Sequence, residues 1–513
     1  MHQAIESRGD NSTGSLAWSA FHALKWRSAG TILQVSLQFV VGIILMRLLS
    51  PEAFGIVGMA LIVTGFAKLV GEMGFNVSII QRSSLTQEHI RVAFTSCLSI
   101  GILLLSLVWF TAPAVARLFR HDELTSVLRG MATAFVFSAM SSTPIALLRR
   151  ELKFRTLAAI ETVSYFVGYG CVGITLAAFG YGVWSLVAAN VLQPLCLASL
   201  AIIVTNHSMR PIFRIRELLD LLPLASAEVL NNITNYLADN LHFFVVGKWL
   251  GAFALGLYSR SFYLMYSPLN NFAAMLFSVM FPLLSQVQAD AVRLRLAFIR
   301  TVSLVSIVTT PIFFAVAAVP EVVIGGLFGA QWQAAAGVLR ILCLSAPFMA
   351  MMQIFGAVHY ARGYVFNECG RQAVYLVVML ISISVLLSRG IDGIALAVAI
   401  ATFARYLFLA QLSLTLAEIS WKEFFVVQIP GFSFGIFAFV AAYLGSIVGH
   451  GIPKSLQLVL IMGMCALFLS IGFLLMPSSW FGDLYPWVIE RFGMHFPYAV
   501  RKRMLTKISP CNS

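Results

Sequence analysis

The chain has 513 residues, 59% of them hydrophobic and only 11% charged, with a mean hydropathy of +0.88. Ordinary soluble domains are about half apolar and about a quarter charged, so this balance excludes a string of soluble domains and requires a membrane protein. The formal net charge of +13 does not point to nucleic acid, because the 34 basic residues lie in short segments between apolar stretches rather than along one solvated face.

Along the chain, apolar stretches of about twenty residues recur, each long enough for a hydrocarbon core of roughly 30 Å. They predict about fourteen spans, at 28–46, 53–71, 92–114, 124–148, 157–179, 182–204, 218–246, 254–284, 296–319, 335–358, 372–388, 391–417, 424–447 and 455–476. The polar opening MHQAIESRGDNSTGSLAWSA has no apolar core followed by a cleavage site, so span 1 is expected to be its own signal. With the N-terminus inside, the inner segments hold 23 basic residues and the outer ones 6, which places both termini in the cytoplasm. The seven cysteines, Cys97, Cys171, Cys196, Cys343, Cys369, Cys465 and Cys511, are scattered and form no CxxC pair, so they read as packing residues.

The chain repeats itself. RLLSPEAFG at Arg47–Gly55 returns as KWLGAFALG at Lys248–Gly256, 201 residues later. VLR at Val127–Arg129 returns at Val338–Arg340, and GYGVW at Gly180–Trp184 has a weaker counterpart in IDGIA at Ile391–Ala395, both at an offset of 211. Three landmarks in one order make spans 1–6 and 7–12 two copies of a unit. An even number of spans per copy makes them parallel repeats about an axis along the membrane normal, an arrangement that encloses a substrate site between halves. The expected architecture is thus an all-α integral membrane fold of two six-helix lobes plus two C-terminal helices. It divides into a cytoplasmic tail at 1–27, an N-lobe at 28–205, a cytoplasmic linker at 206–217, a C-lobe at 218–417 and spans 13–14 at 418–476. An interfacial aromatic segment (Trp480, Phe481, Tyr485, Trp487) with the basic tail RKRMLTK fills 477–513.

Five basic residues fall inside spans: Lys68, Arg129, Arg260, Arg340 and Arg405. Such charges are costly and face a cavity, a partner or the interface. Lys68 and Arg260 lie near span ends, where a long stem lets the head snorkel to water. Arg129 and Arg340 hold equivalent repeat positions near the outer ends of spans 4 and 10 and are open to either reading, whereas Arg405 lies deep in span 12. Span 7, SAEVLNNITNYLADNLHFFVV, places Glu228, Asn232, Asn235, Asp239 and His242 within an arc of about 80° at 100° per residue. Subtracting 201 maps Asn232, Asn235 and Asp239 onto Thr31, Gln34 and Gln38 of span 1, with Arg27 under Glu228. Two equivalent helices with polar stripes in one register fit a shared water-filled cavity; the ionisable Glu228 and Asp239 favour it over hydrogen-bonded glue in a dry bundle.

Other motifs carry no chemistry. GYGCVG at Gly168–Gly173 fits GxGxxG but lies inside an apolar span without a βαβ context, so its glycines read as helix-packing positions. The sequence contains no GxxxxGK[ST], HExxH or GxSxG, and its histidines have no metal-ligand spacing, so neither a catalytic residue nor a metal site is expected.

MRLLSPEAFGIVGMALIVTGFAKLVGEMGFNVSIIQR (46–82), ALLRRELKFRTLAAIE (146–161) and NLHFFVVGKWLGAFALGLYSRSFYLMYSPLN (240–270) resemble the polysaccharide-biosynthesis flippases of the multidrug/oligosaccharidyl-lipid/polysaccharide exporter superfamily. The resemblance covers essentially spans 1–12. It implies a multi-pass protein of the bacterial inner membrane that moves a polyprenyl-diphosphate-linked oligosaccharide to the periplasmic leaflet. It also implies a V-shaped cavity between two lobes, alternating access driven by an ion gradient, and membrane lipids and a polymerase or export machinery as partners, without nucleic acid. On this reading Thr31, Gln34, Gln38, Asn232, Asn235 and His242 serve the glycan and Arg129, Arg340 and Arg405 the diphosphate. Arg27 receives it at the entrance. Asp239, with Glu228 nearby, takes a coupling proton or sodium ion, and no other cofactor is expected. Two rivals stay open: a drug exporter of the same superfamily, which would favour an acidic or aromatic cavity over five embedded bases and three embedded acids (Glu161, Glu228, Asp239), and a membrane polymerase or ligase, which would need a large outer loop.

Overall fold

The computed structural model describes residues 30, 33–71, 79–80, 82, 85–206, 210–212, 214, 235–287, 290–362 and 365–475. These form helices and short connections, with no strand among the described residues. In hydrocarbon every backbone N–H and C=O must be satisfied within its own segment, which a helix achieves. Among the described residues ten helices are long and apolar enough to cross a bilayer, and shorter apolar helices run from Leu33 to Leu48 and from Lys454 to Ser470. The chain is a multi-pass membrane protein of all-α fold. Residues 218–234 of the expected seventh span, and 28–29 and 31–32 of the first, lie outside the described residues.

The chain divides into two compact units, Met1–Ser259 and Arg260–Ser513. In the first unit α1 is Leu33–Leu48, α2 Pro51–Gly71, α3 Gln87–Phe119, α4 Leu124–Ala132, α5 Ala134–Arg150, α6 Phe154–Ala178 and α7 Val183–Thr205. Thr86 begins α3 with a reciprocal capping box, its side chain accepting from the His89 backbone and His89 from that of Thr86. α4 and α5 follow one another through Thr133, which keeps helical angles. Short turns at 120–123 and 179–182 reverse the chain between α3 and α4 and between α6 and α7. The glycines of GYGCVG occupy a π-helical stretch of α6, where Gly168 lies against the backbone of Gln193 and Gly173 against the Ala189 methyl of α7. They are packing glycines, as their apolar setting requires.

Helix α8 (235–245) passes through a π-helical turn at Val246–Leu250 into α9, Gly251–Val287. The two copies of the repeated phrase meet here. A Cβ on Gly55 would overlap the carbonyl of Ala252, and a Cβ on Gly256 would overlap that of Pro51. The offset of 201 converts Pro51 into Ala252 and Gly55 into Gly256, so each contact is the image of the other. Only glycine lets the backbones of α2 and α9 approach this closely. The turns differ: Ser50 accepts from Ala53 N–H at 3.3 Å, whereas Gly251 takes the left-handed φ of 88° that disfavours a side chain. Tyr236 of α8 rests on Gly65 of α2 and donates to the Ile62 carbonyl at 2.9 Å. These contacts put α8 and the start of α9 in the first unit, so the compact division falls at Ser259–Arg260.

The second unit holds the rest of α9, then α10 (Ala291–Ala318), α11 (Pro320–Leu327), α12 (Ala336–Arg362), α13 (Val365–Leu386), α14 (Gly390–Ala417), α15 (Trp421–Val426), α16 (Ile429–Val448) and α17 (Lys454–Leu475). Phe298, Phe355, Tyr406 and Phe424, one each from α10, α12, α14 and α15, are fully buried with ring centroids 5.6–5.9 Å apart along the chain of contacts. Tyr406 donates to Gln428 Oε1 at 2.8 Å. α16 lies along α10, with Gly431 against the backbone of Ser306 and Gly435 against Thr310. The last two helices therefore belong to the second unit's packing rather than forming an appendage.

Candidate functional site

Within the first unit α2, α3, α5 and α7 surround a cavity of about 510 Å³. Each contributes residues at i, i+3, i+4 and i+7, the spacing that lines one helix face. They are Leu61, Thr64, Gly65 and Lys68 of α2; Cys97, Ile100, Gly101 and Leu104 of α3; Ser138, Ser141, Ser142 and Ile145 of α5; and Asn190, Gln193, Pro194 and Leu197 of α7. Arg149 extends the α5 face by one turn. The space exists because the residues facing it are small where the helices are closest: Gly101 lies against the Phe135 carbonyl and the Ala139 methyl.

Two properties make this cavity chemically distinct. It is hydrogen-bonding along its length: Asn190 donates to the Tyr169 hydroxyl at 3.3 Å, and Pro194 has no N–H for the Asn190 carbonyl, leaving that acceptor outside the helical ladder. Thr64, Ser138, Ser142 and Gln193 add four further polar side chains from three helices, the Thr64 hydroxyl donating to the Ala60 carbonyl at 2.9 Å. It is also basic at one end. Lys68 stands in the last turn of α2 and Arg149 in the last turn of α5. Both last turns reach the same cavity through these two side chains. Among the described residues no acidic side chain lines the cavity. The polar wall suits a polyhydroxylated ligand, and the paired cations suit an anionic group such as a phosphate.

This cavity is not the one expected from the polar stripes. Arg27, Thr31, Asn232 and Glu228 lie outside the described residues. Gln34 of α1 is half-buried, and Gln38 of α1 and Asn235 and Asp239 of α8 are exposed. His242 departs from its stripe. It is 2% exposed, with its ring 4.2 Å from that of Phe243 and 5.6 Å from Tyr258, because α9 turns back and brings Tyr258 over it. Arg340 is tied to Glu321 at 2.8 Å, while Arg129 lies over Trp109 with its guanidinium 5.2 Å from the ring. Arg405 is half-buried with its guanidinium 5.0 Å from the Tyr375 ring. Sequence reasoning assigned Lys68 to snorkelling and Arg149 to an inner loop, and so missed the wall they complete. The helical spacing of Ser138, Ser141, Ser142, Ile145 and Arg149 was the signal that could have found it.

Residues 44–337, more than half of the chain, match the family described as polysaccharide biosynthesis protein. The chain belongs to that family. Among proteins of this kind it is 25% identical over 344 residues to the teichuronic acid biosynthesis protein TuaB of Bacillus subtilis, covering 66% of this chain and 70% of the relative. It is 27% identical over 327 residues to the succinoglycan biosynthesis transport protein ExoT of Rhizobium meliloti, covering 64% and 66%. In fold it resembles the lipid II flippase MurJ in an inward closed conformation, with a TM-score of 0.70 at 15% identity over 90% of this chain and 99% of that one. The cavity described above lies in the stretch that the polysaccharide biosynthesis family match covers.

Proposed function

We propose that this polysaccharide biosynthesis protein carries a polyprenyl-diphosphate-linked oligosaccharide from the cytoplasmic to the periplasmic leaflet of the bacterial inner membrane. The observation that carries the reading is the cavity of the first unit. Its hydroxyl and amide wall offers a glycan the hydrogen bonds that lipid withholds, and Lys68 and Arg149 at one end offer the diphosphate charge-assisted contacts. The polyprenyl tail needs no protein path, since it is soluble in the bilayer.

The excess of basic residues at the end that holds Arg149, Arg150, Lys153 and Arg155 supports a cytoplasmic assignment for that end, with both termini on the same side. The cations then meet the diphosphate on the side where it is assembled. Names of relatives support the substrate class: a teichuronic acid biosynthesis protein, a succinoglycan biosynthesis transport protein and a lipid II flippase all concern cell-envelope glycans or their lipid-linked precursors. An exporter of organic cations is disfavoured by the same cavity, since its end carries the basic Lys68 and Arg149 and no acidic residue is among its described lining residues. Asp239 is the proposed site for the coupling proton or sodium ion, and the cycle is alternating access between the two repeats.

The test is polymer export in cells lacking the chromosomal copy. Lys68→Ala with Arg149→Ala is expected to abolish export and leave lipid-linked repeat units on the cytoplasmic side. Unchanged export from a folded, abundant double variant would remove the cavity from the mechanism.

A further inference from the structure

At the end of the first unit opposite Lys68 and Arg149, a groove opens where α3, α4 and the start of α7 converge. Trp109 of α3 and Trp184 of α7 line it together with Asp122, Thr125 and Arg129. On the same helix α3 exposes Ile102, Leu103, Leu107 and Phe110, an apolar track of the kind that suits lipid. An exposed apolar track together with two tryptophans marks the lipid–water boundary.

The charges in the groove are unusual for a membrane surface. Arg129 donates Nε–H to the Trp109 carbonyl at 3.4 Å and stacks on that ring, which leaves the N–H groups of both terminal nitrogens for another acceptor. Among the described residues no carboxylate pairs with it. The repeat shows that this is a local choice. Its counterpart Arg340 pairs with Glu321 at 2.8 Å, and the offset of 211 puts Phe110 where Glu321 would stand. Asp122 shares the groove, yet among the described residues its carboxylate forms no ion pair with Arg129 or any other base. The Thr125 hydroxyl likewise makes no hydrogen bond among the described residues. Ser126 and Thr133 spend theirs on the Glu123 and Gly130 carbonyls at 2.8 and 2.7 Å.

An unpaired cation and an unpaired anion kept apart in one groove match a ligand carrying both charges. We propose that the groove seats the head group of a phosphatidylethanolamine molecule from the adjoining leaflet. Its phosphodiester accepts from the terminal nitrogens of Arg129 and from the Thr125 hydroxyl, and its primary ammonium donates to Asp122. The glycerol region lies between Trp109 and Trp184 and the acyl chains follow the α3 track. A choline head group fails the second contact, because a quaternary ammonium has no N–H. A glycerol head group leaves Asp122 facing a net negative lipid. The site is independent of which substrate the protein moves.

Native mass spectrometry of the purified full-length protein in detergent, with phosphatidylethanolamine, phosphatidylglycerol and phosphatidylcholine in competition, tests it. The wild type is expected to retain phosphatidylethanolamine over both others. Arg129→Gln should lower that retention about tenfold, the order of a lost charge-assisted contact. Asp122→Asn should erase the preference over phosphatidylcholine while phosphate binding persists. Arg340→Gln, which removes a paired charge, should change nothing. Equal retention by the wild type and Arg129→Gln overturns the site. So does equal loss from Arg129→Gln and Arg340→Gln. A wild-type preference for phosphatidylglycerol that Asp122→Asn leaves unaltered overturns the zwitterionic assignment. All variants alter exposed or half-exposed side chains, and their elution as single species confirms that any loss is not misfolding.

Discussion

Lys68 and Arg149 stand in the last turns of two helices, where a cation is favoured by the helix dipole and its stem can extend along the apolar wall. That explains how the fold tolerates both charges beside an apolar core. Their proposed work differs from that of a structural ion pair. Arg340–Glu321, with both side chains about half exposed (48% and 50%), is worth at most about 1 kcal/mol, so Arg340→Ala should leave stability nearly unchanged. Lys68→Ala or Arg149→Ala alone should lower export of the polymer roughly tenfold, since a hydrogen bond to a charged group is worth about 1.5–3 kcal/mol. Pulse-labelled surface polysaccharide measures both. At this scale the sequence was only partly legible. It marked Lys68 as an embedded base, but a single helix says nothing about which three others face it. It also placed His242 on a polar stripe by periodicity alone, and the turn at Gly251 that folds Tyr258 over His242 has no signature in an angle per residue.

The crossing of α2 with α9 shows an element-scale use of the repeat. Gly55 against Ala252 and Gly256 against Pro51 are one contact made twice, and each glycine is required because a Cβ would overlap a backbone carbonyl rather than a side chain that could move. Gly55→Leu or Gly256→Leu should each cost about 1–3 kcal/mol or more, the range for overpacking. The pair together should cost less than the sum, because the first already separates the backbones. Thermal melting in detergent reads both. In the second unit the buried pair of Tyr406 and Gln428 ties α14 to the segment before α16. Tyr406→Phe should cost about 1 kcal/mol and leave export intact, a hydrogen-bond loss typical of a membrane interior. Elements were the most legible scale: apolar runs located the helices, and the echo of RLLSPEAFG in KWLGAFALG located the crossing. What the echo could not say is that its two copies touch each other.

At the scale of the whole molecule the chain is a multi-pass helical membrane protein of the polysaccharide biosynthesis family, with a fold shared with a lipid II flippase. The hydropathy pattern made that class readable, because twenty apolar residues in a row have few other uses. The site was not readable in the same way. Its wall is assembled from serines, glycines and amides on four helices, each unremarkable in its own span, and it becomes a cavity only when the helices are packed. The two repeats have also diverged where it matters: the offset of 211 aligns Phe110 in sequence with Glu321, and a rule derived from one copy does not transfer to the other. The central claim is transport of a lipid-linked glycan through the first unit's basic cavity. It is tested most directly by reconstituting the purified protein in vesicles with a fluorescent polyprenyl-diphosphate oligosaccharide on the inner leaflet and following its exposure to a membrane-impermeant quencher. Exposure is predicted to be fast with the wild type and to fall to the protein-free rate with Lys68→Ala and Arg149→Ala combined. Wild-type exposure no faster than in protein-free vesicles, or unaffected by the double substitution, would contradict it.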